Sequence, residues 1–259
     1  MLCESNSLRR VVEPGLFVLV SNCDQTGWKD SAREVIADAD EIVGGGEAAG
    51  PFELERLELG CDKWLWRNRA TAIVLAGGDS RRLGRDKSML PVRSQPMIKY
   101  ICDRLKPYFD EVVISAKESG RYDFLGLRVV GDELPGRGPL GGIVSALEAS
   151  KSEVNFVIAC DIPQFDIFVV RRMLRQVRHF DAVVPQSRTR RNEPVFAVYK
   201  KSVLPILKRA LTAGRCRITA ALQGCWVAQP VLQDCEQPIN INTMDDYRAF
   251  IKGLKDGDV

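Results

Sequence analysis

From Thr71 onward, short β-branched runs alternate with longer stretches whose apolar residues recur at helical spacing. The run Thr71–Leu75 has no polar break and predicts a fully buried strand. Met97, Ile98, Ile101 and Leu105 fall on one stripe and predict a helix over about residues 95–105, with a second strand at 111–115. Further strands are predicted around 128–132, 155–161, 181–185 and 195–199, with helices near 141–149, 168–177, 203–211 and 245–251. Repeated β-α-β units of this kind build a doubly wound α/β domain around a mostly parallel sheet, here over residues 70–259.

Residues 1–69 do not join that rhythm and form an N-terminal extension of unassigned role. Residues 15–21 predict a strand and 28–39 a helix, but the glycine-rich run 44–51 interrupts them before the charged stretch 52–69. No Lys-Ser/Thr pair follows those glycines, so they suit a flexible linker better than a phosphate-binding loop. Trp64 and Trp66 suit packing on the main domain.

The chain has 259 residues, and 37 Lys+Arg against 34 Asp+Glu leave a formal charge of +3, too small a field to argue for nucleic acid or anionic lipid. No apolar run reaches the roughly 18 residues of a membrane span, and the first residues lack a secretory pattern, so a cytoplasmic protein is expected. Eight cysteines without a C-x-x-C pair argue against zinc and disulfides and are expected mostly as small buried hydrophobes. The single histidine, His179, is expected in the last turn of a surface helix, which moves the chemistry onto carboxylates, cations, backbone amides or a metal.

That chemistry concentrates directly after the first strand, at Leu75-Ala-Gly-Gly-Asp-Ser-Arg-Arg-Leu-Gly-Arg-Asp-Lys87. Loops at the carboxyl ends of parallel strands are where open α/β sheets bind ligands. Gly77, Gly78 and Gly84 let the backbone turn its amides toward an anion, Ser80 offers a hydroxyl, and Arg82 and Lys87 offer cations, so this loop is a candidate polyphosphate cradle. Asp161 ends another buried strand at the same rim, where beside a phosphate loop it would hold Mg²⁺ against substrate oxygens. The stretch 131–143, with Asp132, Pro139, Gly141 and Gly142, is either a bend admitting a nucleobase or sugar or an ordinary loop before a helix. Asn240 and Asn242 share one face of a short strand and could meet metal or substrate, or cap the final helix.

These residues resemble a known family, the molybdenum cofactor guanylyltransferases, or MobA-like nucleotidyltransferases. Residues 75–87 are similar to its signature L-A-G-G-x-S-x-R-M-G-x-D-K and depart only in Leu83 for methionine. Residues 129–143 resemble its second nucleotide loop, 159–163 its metal-binding aspartate, 192–199 its substrate-side strand and 239–243 its closing asparagine motif, covering Thr71 to about Ile251.

The resemblance implies a Rossmann-like nucleotidyltransferase fold and transfer of GMP from GTP to the phosphate of molybdopterin or its molybdenum-loaded form, with release of pyrophosphate. It implies Mg²⁺ on Asp161, anion stabilisation by Lys87 and Arg82, and GTP held by Leu75, Ala76, Gly77, Gly78, Ser80, Lys87, Asp132 and Gly141, with Leu75, Gly77, Gly78 and Asp132 on its guanosine part. Asn240 and Asn242 would contact pterin or metal, and client molybdoenzymes are implied partners. Two alternatives stand beside it: a related cytidylyl- or uridylyltransferase, whose loops start L-A-A-G rather than with Gly77-Gly78, and a docking protein that binds nucleotide or pterin without turnover.

Overall fold

A computed structural model describes residues 17–21, 29–36, 39, 41–44, 54–59, 64–77, 86–132 and 136–256, and the chain divides into two compact units, Met1–Asn68 and Arg69–Val259. In the first unit, β1 (Val18–Ser21), α1 (Asp30–Arg33) and β2 (Glu41–Gly44) make a small β-α-β element, with β1 and β2 parallel. A hairpin follows, β3 (Leu57–Leu59) antiparallel to β4 (Trp64–Trp66). Trp66 is buried under the Arg56 guanidinium, 4.4 Å from its ring centroid. Neither β2 nor the hairpin shows in the hydropathy pattern, because three- and four-residue strands are too short to establish a period. The expected helix at 28–39 is, among the described residues, the single turn Asp30–Arg33, and residues 45–53 of the glycine-rich stretch lie outside the description.

The second unit runs β5 (Asn68–Leu75), β6 (Pro91–Val92), β7 (Gln95–Pro96), α2 (Met97–Leu105), β8 (Phe109–Ala116), β9 (Arg128–Gly131), α3 (Gly138–Ala149), β10 (Val154–Ala159), α4 (Ile167–Gln176), β11 (Ala182–Val183), β12 (Phe196–Lys200), α5 (Leu204–Thr212), α6 (Ile218–Ala221), β13 (Val227–Ala228) and α7 (Met244–Asp256). Seven strands form one sheet in the order β13-β11-β12-β10-β5-β8-β9. β10 pairs parallel with β5, and β8 with β9, while β12 runs antiparallel to both β10 and β11. The sheet is therefore mostly parallel with one reversed strand.

Alternate residues of each strand point to opposite faces, and both faces are apolar. Ile73, Val113, Val157, Ala197 and Tyr199 pack with Leu140, Ile143 and Leu147 of α3 and Leu207 and Leu211 of α5. On the other face Phe156 stacks on Phe109 and meets Phe196 edge-on at 5.4 Å between centroids. Arg104 of α2 reaches that layer through Phe165, which lies against Phe196. Each fully buried aliphatic side chain contributes about 1.5–3 kcal/mol, so two dry faces fix the strand register far more firmly than any surface contact.

From β5 the chain adds β8 and β9 on one side, then returns to place β10 on the other. That reversal opens a crevice at the carboxyl ends of β5 and β10, the place where doubly wound sheets bind ligands. The β6–β7 hairpin is absent from the hydropathy pattern. Its turn residues Arg93 and Ser94 adopt φ of 45° and 69° without glycine, so no sequence signal marks the turn.

Candidate active site

Four strand ends are brought level at this rim by backbone bonds. Ala76 N donates to Ser115 O at 2.7 Å, Cys160 N to Leu75 O at 2.9 Å and Asp132 N to Ala116 O at 3.1 Å. Ala76, Gly77, Lys117, Asp132 and Asp161 consequently leave the sheet side by side. Among the described residues, a Cβ on Gly77 would find only Lys117 Cγ, at 3.9 Å, so its bare backbone is open on that side.

Lys87 lies on a one-turn 3₁₀ helix, Lys87–Met89, capped by Asp86, whose Oδ1 accepts from Ser88 N at 3.0 Å and Ser88 Oγ at 2.8 Å. The Lys87 ammonium donates to Asp161 Oδ2 at 3.1 Å and to Asn242 Oδ1 at 3.3 Å. The Lys87 and Asp161 side chains are 16% and 25% exposed, which screens this pair less than a surface ion pair.

Backbone pairing delivers Asn242 to the site. Ile239 N donates to Gln164 O at 3.0 Å and Ile241 N to Asp161 O at 2.8 Å, laying the segment along the chain that follows Asp161. The helix cap of α7 is made by other groups: Asp246 Oδ2 accepts from the amides of Asn242 and Thr243 at 2.9 and 2.8 Å, and Thr243 Oγ1 accepts from Asp246 N. Those amides hold the Asp246 carboxyl below the usual carboxylate range. The Asn242 side chain thus serves the Lys87–Asp161 pair, whereas Asn240 is half-buried and makes no hydrogen bond to either.

Several residues around the pair carry no sequence signal. Arg104 donates to Pro163 O at 2.7 Å and Phe165 O at 2.8 Å while stacking on Phe165 at 4.2 Å, and so fixes the turn after Asp161. Tyr122 is buried, with its phenol 3.0 Å from Ser88 Oγ and 3.4 Å from Ala76 O. Burial raises the Tyr122 pKa and pushes the Cys160 thiol up to about 12. In the loop before β12, burial likewise raises the Glu193 carboxyl, against the lowering effect of Arg191. None of these contacts follows from spacing along the chain; each joins elements that only the fold brings together.

Gly78, Ser80 and Arg82 lie outside the described residues. Gly141 and Gly142 are buried in α3 rather than placed on an open bend. His179 is exposed in the short 3₁₀ turn that extends α4. The expectation that most cysteines are buried is corrected: of those described only Cys102 is buried, Cys235 is exposed, and Cys160, Cys216 and Cys225 are intermediate. All three stand at or beside loops; the Cys160 thiol itself is buried although its residue is partly exposed, and Cys225 lies at the edge of the core. No group of three or more His, Cys, Asp or Glu suited to a metal occurs among the described residues, and no helix among them is long and apolar enough to cross a membrane.

A probable molybdenum cofactor guanylyltransferase of Carboxydothermus hydrogenoformans is 30% identical over 189 residues, 70% of this chain and 95% of the relative. A molybdenum cofactor guanylyltransferase of Shewanella sediminis is 35% identical over 192 residues, covering 71% and 96%. The crystal structure of molybdopterin-guanine dinucleotide biosynthesis protein A from Archaeoglobus fulgidus superposes with a TM-score of 0.62 at 22% identity, over 72% of this chain and 99% of that one, and shares the fold. Residues 72–225, from the first buried strand through the turn after α6, match the MobA-like NTP transferase domain, and the chain belongs to that family.

Proposed function

We propose that this protein transfers GMP from GTP to the terminal phosphate of molybdopterin, or of its molybdenum-loaded form, and releases pyrophosphate. The observation that carries nucleotidyl transfer is the meeting of Lys87, Asp161 and Asn242 at the crevice between β5 and β10. The guanine base and the pterin acceptor are drawn from the relatives named molybdenum cofactor guanylyltransferase.

In this reading an oxygen of the acceptor phosphate bonds to the α-phosphorus of GTP, and the bond to the β-phosphate breaks with its electron pair leaving on pyrophosphate. The acceptor is an anion at neutral pH and needs no base, which suits a chain with one histidine far along an exposed turn. Catalysis reduces to alignment and charge neutralisation. Asp161 Oδ and Asn242 Oδ1 are hard oxygen donors, a single carboxylate with an amide, and such a sparse set suits Mg²⁺, which keeps water and substrate oxygens as its other ligands. Bound there, Mg²⁺ would neutralise phosphate charge. Lys87 balances Asp161 in the structure and is placed to donate to phosphate oxygens instead, with Arg82 as the second cation of the loop. Leu75, Ala76, Gly77, Gly78, Ser80, Asp132 and Gly141 are assigned to GTP, with Leu75, Gly77, Gly78 and Asp132 on its guanosine part, and a cytosolic location belongs to the same reading.

The loop between β11 and β12 leaves the same rim with Arg188, Arg190 and Arg191 on a turn closed by Ser187 N to Arg191 O at 2.9 Å. Three guanidinium groups suit an acceptor that arrives as a phosphate. The test is pyrophosphate release with each of the four nucleoside triphosphates, with molybdopterin as acceptor. GTP should give the highest kcat/KM by several hundredfold, since two hydrogen bonds unmade with the wrong base cost about 1–3 kcal/mol each. Equal use of GTP and CTP would overturn the guanine reading, preference for CTP would make the protein a cytidylyltransferase, and release with none would make it a binding protein.

A further inference from the structure

We propose that Arg121 and Tyr122 are positioning residues for Lys87, holding the residue on either side of it and buckling the two ends of the glycine-rich loop together. The 3₁₀ segment Ser119–Leu125 places these consecutive side chains against the Lys87 turn. Arg121 donates to Asp86 Oδ2, directly before Lys87, and the Tyr122 phenol meets Ser88 Oγ, directly after it, at 3.0 Å. The same phenol lies 3.4 Å from Ala76 O, so one buried hydroxyl touches the residue just before the loop and the residue just after Lys87.

Proton counting makes this strap directional. Two hydroxyls carry two protons for three acceptors, and the shorter contacts assign Ser88 Oγ to Asp86 Oδ1, at 2.8 Å, and Tyr122 to Ser88 Oγ. Ala76 O is then the alternative acceptor for the Tyr122 proton, which couples the start of the loop to the lysine turn. Arg121 is 46% exposed, so solvent weakens its ion pair, and the buried Tyr122–Ser88 bond dominates. A lysine reaches its target through a long flexible stem, so its aim depends on a fixed Cα. The strap fixes that Cα without touching substrate.

This inference rests on the nucleotidyl-transfer reading for its effect on rate, but the strap has its own measurement. Tyr122→Phe keeps the buried ring and removes only the hydroxyl; Ser88→Ala removes its partner. Tyr122→Phe should lower kcat with GTP about tenfold, the effect of one buried hydrogen bond, and Ser88→Ala, which also gives up its bond to Asp86 Oδ1, at least as much, each with the KM for GTP changed less than about twofold. The double variant should be slower than Ser88→Ala by much less than tenfold, because the Tyr122–Ser88 bond is already lost in each single variant. Hydrogen exchange at amides 86–90 should quicken about tenfold in both variants. An unchanged kcat, an equal loss in KM, or losses that multiply in the double variant would overturn the proposal. If the native protein turns over no triphosphate, the transfer reading fails, and exchange alone decides: faster exchange supports the strap and unchanged exchange overturns it.

Discussion

Two glycine-rich stretches, 75–87 and 131–143, read alike as letters and end near the same rim, yet glycine does different work in each. A Cβ on Gly142 would meet Ser115 Oγ at 2.9 Å and Leu75 Cδ2 at 3.8 Å, and Ser115 Oγ donates to Gly142 O at 3.1 Å. Glycine there lets α3 lie close against β8 and β5. Among the described residues, a Cβ on Gly77 would make only an ordinary contact with the Lys117 stem, so packing against them does not require glycine at that position. A glycine is a ligand-loop signal when its missing side chain leaves open space and a packing signal when that space is already full.

The largest effect expected of this contrast is on rate. Lys87→Ala and Asp161→Asn should each lower kcat/KM by about 10² to 10³ while the thermal midpoint stays near that of the native protein, since both act on charge at the rim. Steady-state kinetics beside a melting curve checks this, and near-normal turnover in either variant would remove the first stretch from the chemistry. Next in size, Gly142→Ala should destabilise by about 1–3 kcal/mol, because Ser115 must rotate away and lose its buried bond to Gly142 O. For a unit of this size about 1 kcal/mol lowers the midpoint by about 2–4 °C. Gly77→Ala should leave stability within about 0.5 kcal/mol and instead raise the KM for GTP. A larger loss of stability from Gly77→Ala than from Gly142→Ala would invert the comparison.

The rim was legible in the sequence to the extent that its chemistry is written in local order. Lys87, Asp161 and Asn242 stand out because each follows a strand or short β segment and bears a polar head at a place where ligands bind. That Lys87 and Asp161 share one rim was legible from the strand ends, but the place of Asn242 beside them was not, because it arrives through pairing of residues 239–241 with 161–164, a contact set by the return of the chain. Arg104 is one residue of the predicted helix over about 95–105, and Tyr122 falls where no element is predicted. Their roles depend on the partners Ser88 and Pro163 across the fold. The strand at 195–199 was visible but its direction was not, since hydropathy is the same for a chain run either way.

The smallest effect lies away from both stretches. Glu111 at the start of β8 accepts two bonds from Arg128 at the start of β9, 2.9 and 2.8 Å, at the opposite end of those strands from Lys117 and Asp132. The Arg128 guanidinium lowers the Glu111 carboxyl below its ordinary 4.5, so the folded state favours the ionised form. Its stabilisation is present above that ordinary value and is lost as pH falls through the lowered one. Glu111→Gln should therefore flatten the acid side of a stability-versus-pH curve and leave kcat/KM unchanged. A change in turnover would show that the far end of β8 communicates with the rim.

The residue beside Asp161 has a consequence for reactivity. Burial pushes the Cys160 thiol up to about 12 and so favours its protonated form at neutral pH, whereas the thiolate is the form that alkylates, exchanges with disulfides and captures soft metals. A sulfhydryl one residue from Asp161 is thereby kept in its less reactive form. In the proposed transfer, the oxygen donors of Asp161 and Asn242 would meet phosphate and metal beside a protonated thiol and without a competing thiolate.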